Sequence, residues 1–112
     1  MKGIKFILQR DEWSCGPIAL MNTLKALNRK VIYRDIHKYR KMLGWKYKDG
    51  VWPESIEKVL KRLKIKYFKR VEKKVTLGFI DKYLKKGYFC ILLFAWNKDE
   101  SHYILITDRN IV

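Results

Sequence analysis

The sequence predicts an α+β fold, with amphipathic helices first and a strand-rich C-terminal half. From Cys15 onward, apolar residues recur with the spacing of one helix face. The run 88–96 is instead rich in aromatic and aliphatic residues, as buried strands are, and 102–107 is a second such run. Helices followed by strands are typical of α+β folds rather than of doubly wound sheets. The length of 112 residues indicates one domain, spanning 1–112.

Four helices are predicted from apolar periodicity and from cap residues. Pro17 suits the first turn of the first helix, because the missing N–H of proline needs no partner there. Asn28, Gly44 and Gly87 are typical helix stops, and Thr76 is a typical N-cap. The predicted helices span 15–28, 33–43, a segment from Pro53 through Leu63, and 76–87.

Four strands are also predicted. The first spans 3–8, and the second spans 65–71, where apolar and basic residues alternate. The runs 88–96 and 102–107 form the last two strands, which the polar turn between them joins as a hairpin. We therefore expect the N-terminal helices to pack on a C-terminal antiparallel sheet.

The chain is strongly basic, with 26 Lys and Arg against 11 Asp and Glu and a net charge of +15. Such an excess favours contact with polyanions or acidic partners. The basic residues are scattered through nearly every segment, however, and the sequence has no glycine-rich phosphate loop. Nucleic-acid binding is therefore an alternative that the sequence does not favour as the main function.

The two cysteines, Cys15 and Cys90, are fewer than a secreted disulfide scaffold of this size normally has. Cys90 lies in the apolar run 88–96 and is expected to be a buried structural thiol. The two His and two Cys do not have the spacing of a zinc site. Neither a metal nor another cofactor is expected.

The apolar stretches are short. The N-terminal apolar stretch ends at Leu8, where polar residues follow, and it is too short for a signal peptide. The longest apolar run has nine residues, far fewer than a membrane span needs. We therefore expect a cytoplasmic protein with no membrane span, in a compartment that keeps its thiols reduced.

Gln9, Cys15 and His102 lie where cysteine chemistry needs them. Cys15 begins a predicted helix, and a helix N-terminus stabilises the thiolate, which is the reactive form. An imidazole such as that of His102 can take the thiol proton. The Cys15 N–H and the Gln9 amide can donate to the oxyanion that forms when the thiolate attacks a carbonyl, and Gly16 lets a substrate backbone approach. Taken singly, each residue has an ordinary interpretation, as a buried thiol, a loop residue or a strand start.

Residues 9–20, QRDEWSCGPIAL, resemble the N-terminal signature of the bacteriocin-processing, double-glycine peptidase family, a compact branch of the papain-like clan. Residues 50–53 (GVWP) and 101–106 (SHYILI) resemble its middle segment and its Gly-His-Tyr segment. The resemblance implies a papain-like fold and a cysteine peptidase, or related thiol hydrolase, that cleaves a peptide or isopeptide bond. It implies Cys15 as nucleophile, His102 as general base, Gln9 in the oxyanion hole, and a peptide or protein as the partner.

A third residue that would orient the imidazole is not identified. The family usually places an Asp or Asn on the strand after the catalytic His. Asp108 lies six residues past His102, which is roughly 20 Å along an extended strand, and it is therefore disfavoured. Asn97, across the predicted turn, is a second candidate, and a Cys-His pair without a third residue is the remaining alternative.

Three functions from different classes stay open. The first is the cysteine peptidase, and the second is a catalytically degenerate binding module on the same fold, which the unidentified third residue favours. The third is a basic nucleic-acid-binding protein. Reactivity of the Cys15 thiol separates the first from the second, and salt-dependent binding would identify the third.

Overall fold

The computed structural model describes residues 4–69, 75–95, 101–107 and 111–112. Within these ranges the chain has the predicted α+β arrangement, with helices first and an antiparallel two-stranded sheet after them. The helices are α1 (Cys15–Ala26), α2 (Ile36–Met42), α3 (Pro53–Arg62) and α4 (Leu77–Leu84), and a 3₁₀ turn, Tyr33–Asp35, leads into α2. The strands are β1 (Cys90–Ala95) and β2 (Ser101–Ile106).

Each of these four α-helices is followed, two or three residues after its last residue, by a residue in the left-handed conformation. These residues are Asn28 (φ 65°), Gly44 (65°), Lys64 (59°) and Gly87 (89°). In each case the next backbone N–H donates to the carbonyl five residues earlier, as from Arg29 to Leu24 at 2.9 Å, which satisfies a terminal carbonyl. The predicted stops at Asn28, Gly44 and Gly87 are confirmed. None of the helices in the described ranges combines the length and the apolar character that crossing a bilayer requires.

The core forms around α1. Leu20, Met21 and Leu24 are at most 1 % exposed, and they pack with buried apolar residues of α2 and α3 and with Tyr103 of β2. Leu105, also on β2, is fully buried. Burying aliphatic side chains of this size is the main stabilising contribution to such a core. The helix that begins at Cys15 is therefore the central element of the fold.

The predicted antiparallel pairing of the two C-terminal strands is confirmed, and the residues between them, 96–100, lie outside the described ranges. β1 and β2 pair antiparallel, with Phe94 opposite His102 and Leu93 opposite Tyr103. Val112 pairs with the other edge of β2, since its N–H and carbonyl bond the Leu105 backbone at 2.8 and 3.0 Å. β2 is thus flanked on both sides, and α1 packs on it.

Two strand predictions are wrong for the residues that the structure describes, 4–8 and 65–69. Near the N-terminus, the Ile7 backbone bonds the side chain of Asn22 on α1 instead of a neighbouring strand. In 65–69, the alternating pattern reflects packing on α3, where Glu57 accepts hydrogen bonds from the Tyr67 hydroxyl and from Lys69 at 3.3 and 3.2 Å. An alternating pattern specifies two faces of an extended chain, but it does not supply a second backbone to pair with.

Candidate active site

Cys15 is the first residue of α1, and its side chain is partly exposed. Ser14 is the N-cap residue, and its carbonyl oxygen accepts the Ile18 N–H at 3.0 Å. The first turn of α1 contains no acidic residue. Because backbone N–H groups at a helix start favour negative charge, this position suits a nucleophilic sulfur.

Gln9 is half-buried and lies between two tethers. The first is Asn22 of α1, whose Oδ1 accepts the Ile7 N–H at 2.8 Å and whose Nδ2 donates to the Ile7 carbonyl at 3.0 Å. The second is the backbone carbonyl of Asp11, which accepts a hydrogen bond from Gln9 Nε2. A glutamine amide carries two N–H donors, and this bond uses one while fixing the direction of the other. The segment before α1 therefore orients the Gln9 amide.

His102 is the second residue of β2 and is half-buried. Directly across the hairpin lies Phe94, whose ring meets the imidazole edge to face, with centroids 5.9 Å apart and planes at 80°. Such an arrangement is favourable for aromatic rings. The hairpin thus places the imidazole at a defined register position beside an apolar neighbour.

One cleft joins these three residues. It has a volume of about 390 Å³, and Gln9, Cys15 and His102 all border it. The rest of its lining is mostly apolar and includes Phe6, Leu8, Ile18, Ala19 and Ile111. An apolar cleft with a few converging polar groups is the usual form of a small binding or catalytic site. The structure therefore brings together the three residues that the sequence singled out.

Tyr103 connects β2 to Val51, in the segment just before α3. Its hydroxyl donates to the Val51 carbonyl oxygen at 2.9 Å. Burial raises the pKa of the Tyr103 hydroxyl well above its usual range, and the nearby Cys15 and Glu54 raise it further. The hydroxyl therefore stays protonated and able to donate. A Cβ at Gly16 would lie 3.0 Å from Val51 Cβ and 3.5 Å from Tyr103 Cδ2. The missing side chain at Gly16 therefore lets Val51 of the same chain, rather than a substrate, pack closely against it.

Gly16→Ala is expected to be less stable than its matched control, Gly78→Ala. Both glycines are the second residue of their helices, α1 and α4. Near Gly78 the closest atom to an added Cβ is Thr76 Oγ1 at 3.9 Å, so alanine there gains up to about 1 kcal/mol of helix propensity. At Gly16 crowding against Val51 offsets this gain, since overpacking costs about 1–3 kcal/mol. Denaturant unfolding measures the difference, and equal stabilisation by both alanines would contradict the close packing of Val51.

The two candidates for a third catalytic residue, Asn97 and Asp108, lie outside the described residues. Both therefore stay predictions. In the described ranges, no three or more His, Cys, Asp or Glu residues are grouped so that they could hold a metal ion.

Sequence reasoning missed two charged residues next to the site. Arg40 of α2 forms an ion pair with Asp11 at 2.8 Å, and its guanidinium also bonds the hydroxyl of Ser14, the residue before Cys15. Asp11 carried a signal that was overlooked, because an Asp in a polar loop commonly accepts the backbone N–H two residues further on, here that of Trp13. Arg40 carried none, because its partners lie 29 and 26 residues away in the sequence.

Comparisons of the chain with protein-family models, with curated proteins and with solved structures found no match. The observations that bear on the function of the chain are the helix-start position of Cys15, the oriented amide of Gln9, and the cleft that both share with His102.

Proposed function

We propose that this chain is a cysteine peptidase, or a related thiol hydrolase, that cleaves a peptide or isopeptide bond. The observation that carries the proposal is the single cleft bordered by Cys15, His102 and Gln9. A nucleophile at a helix start, an imidazole and an amide donor are the three groups that acyl transfer to a thiol uses.

In the proposed mechanism, His102 takes the proton of the Cys15 thiol, and the sulfur attacks the carbonyl carbon of the substrate. The Cys15 N–H and the Gln9 amide donate to the resulting oxyanion. The C–N bond then breaks, His102 returns the proton to the leaving amine, and a thioester forms on Cys15. Water, activated by His102, hydrolyses the thioester and frees the acid and the thiol.

The architecture is compatible with a papain-like fold related to double-glycine peptidases, which we propose for this chain. The support is the helix that begins with the nucleophile and packs on an antiparallel hairpin whose second strand carries the histidine. Both cysteines are free thiols. Free thiols are typical of reducing compartments, and we therefore propose a cytoplasmic location.

For the substrate we propose a peptide or protein segment with an apolar side chain next to the cleaved bond. The support is the apolar lining of the cleft beside Cys15, including exposed Leu8 and Ile111 at its edge. The net charge of +15 also favours a substrate with acidic residues. A substrate of this kind would be cleaved more slowly as salt concentration rises.

Hydrolysis of a fluorogenic peptide library tests the proposal. Wild type is expected to cleave members of the library, whereas Cys15→Ala should show only background. His102→Ala should lower turnover by about 10²–10⁴-fold, the usual contribution of a general base. The matched control is His37→Ala, because His37 is exposed on α2 and is the only other histidine. Cleavage that survives Cys15→Ala, or that falls equally in both histidine variants, would contradict the proposal.

A further inference from the structure

The loop that leads into Cys15 is folded around one carboxylate, that of Asp11. Its Oδ1 accepts the Trp13 N–H at 2.8 Å, and its Oδ2 accepts the Ser14 hydroxyl at 2.9 Å. The backbone carbonyl of the same residue accepts the Gln9 amide. Asp11 thus contacts both the residue before the nucleophile and the oxyanion glutamine.

Arg40 holds this carboxylate from α2. Its Nη2 donates to Asp11 Oδ2 at 2.8 Å and to Ser14 Oγ at 2.7 Å, and its Nε lies 3.2 Å from the same hydroxyl. Ser14 is fully buried, and the Arg40 side chain is only 20 % exposed. A planar guanidinium can make this set of contacts in one fixed orientation, which a lysine cannot reproduce.

The segment after α2 fixes the guanidinium in turn. The Trp45 ring lies under it, 4.3 Å from the guanidinium carbon. Trp45 Nε1 also donates to the Trp13 carbonyl at 2.6 Å. Arg40 is therefore clamped between the ring and the loop, and the loop bonds to the same tryptophan.

We propose that Arg40 and Asp11 are positioning residues that hold the two oxyanion donors, the Cys15 N–H and the Gln9 amide, in their productive directions. This role rests on the proposed hydrolase function. Neither residue borders the cleft, and each acts through the loop 11–14. Small displacements of oxyanion donors are costly, since removing one such donor typically lowers the rate by about 10²–10³-fold.

Two reactions of Cys15 separate this role from general damage to the site. With p-nitrophenyl acetate, a C–S bond forms, the C–O bond breaks through an oxyanion intermediate, p-nitrophenolate leaves, and His102 receives the thiol proton. With iodoacetamide, a C–S bond forms, the C–I bond breaks, iodide leaves and His102 receives the thiol proton, but no oxyanion develops. Loss of the positioning contacts should therefore slow acylation and leave alkylation nearly unchanged.

The expected result for Arg40→Met is a fall in the Cys15 acylation rate of about 10²-fold, with the alkylation rate within about threefold of wild type. Arg40→Lys, which keeps the charge and disturbs folding less, should give an intermediate acylation rate. Lys69→Met is the matched control: it removes an ion pair of similar kind, with Glu57 at 3.2 Å, and neither partner borders the cleft. The control should leave both rates unchanged.

Each other outcome is informative. Suppose that Cys15 reacts in wild type and that both Arg40 variants keep the wild-type ratio of acylation rate to alkylation rate. The positioning role is then wrong, and the hydrolase proposal stands. If both rates fall together in Arg40→Lys, Arg40 supports the whole site, and the specific role is again wrong. If wild-type Cys15 reacts with neither reagent faster than Cys90, the hydrolase proposal fails, and the positioning role fails with it.

Discussion

Replacing Cys15 with alanine should abolish rapid labelling by iodoacetamide at neutral pH, whereas Cys90→Ala should leave it intact. The two thiols are both partly exposed, so exposure alone does not predict which one reacts. Cys15 borders the cleft with His102, whereas Cys90 lies in β1. Of the two thiols, only Cys15 begins a helix and lines one cleft with an imidazole, and these two features favour a reactive thiolate.

Burial raises the pKa of the Cys90 thiol. A raised thiol pKa means a smaller thiolate fraction at neutral pH, and the thiolate is the form that reacts. Labelling at Cys90 should therefore increase only as the pH is raised beyond the ordinary range for a thiol. Labelling at Cys15 should already be fast at neutral pH and should slow down in His102→Ala, because the base is lost.

Peptide mapping by mass spectrometry assigns the label to one cysteine or the other across a pH series. The pair Cys15→Ala and Cys90→Ala makes each variant the control for the other, and circular dichroism verifies that both are folded. Preferential labelling of Cys90 at neutral pH would contradict the nucleophile assignment. Equal rates at Cys15 in the folded and the denatured chain would show that the fold does not activate this thiol.

The helices were predictable because their signals are local. Apolar residues at helical spacing mark the buried face of α1, and a Thr76 hydroxyl that accepts the Phe79 N–H at 3.1 Å is the expected N-cap. The strands at 3–8 and 65–71 were predicted from equally local patterns. For the described residues, 4–8 and 65–69, those predictions failed because a strand needs a partner that the pattern does not name, and Asn22 and α3 supply other partners.

In the candidate site, too, the residues with a local signal were predictable and the one with distant partners was not. Gln9 and Cys15 lie in one short motif, and the structure places both at the cleft. Arg40 was not predictable, because a solvated arginine on a Lys-rich helix and an arginine that clamps a distant loop have the same sequence appearance. What distinguishes them is the approach of α2 to the loop, which is a consequence of tertiary packing.

Asn22→Leu is expected to lower the free energy of unfolding by about 2–4 kcal/mol, because it leaves the N–H and the carbonyl of Ile7 without their partners. Asn22 is fully buried in α1, and leucine has the same branching with larger end groups, so the change removes the polar contacts and adds some crowding. Against a total stability of roughly 5–15 kcal/mol for a small domain, this is a large loss. Denaturant unfolding measures it directly.

The adjacent Thr23→Val is the matched control for that substitution. Thr23 is also buried, but its hydroxyl donates to the Ala19 carbonyl within α1 at 2.7 Å, and such a bond adds little to a helix. We expect Thr23→Val to cost less than about 1 kcal/mol. Hydrogen exchange at the Ile7 amide should become fast in Asn22→Leu and stay slow in Thr23→Val.

Asn22→Leu also tests whether the N-terminal segment positions Gln9 at the cleft. If Asn22 holds Ile7 in place, releasing it also frees Gln9, two residues further along, and the acylation of Cys15 should slow more than its alkylation. A variant with fast exchange at Ile7 and an unchanged acylation rate would show that Asp11 alone orients the Gln9 amide. Slow exchange at Ile7 in Asn22→Leu would instead show that the segment is held by its apolar contacts, and that the buried asparagine is not its anchor.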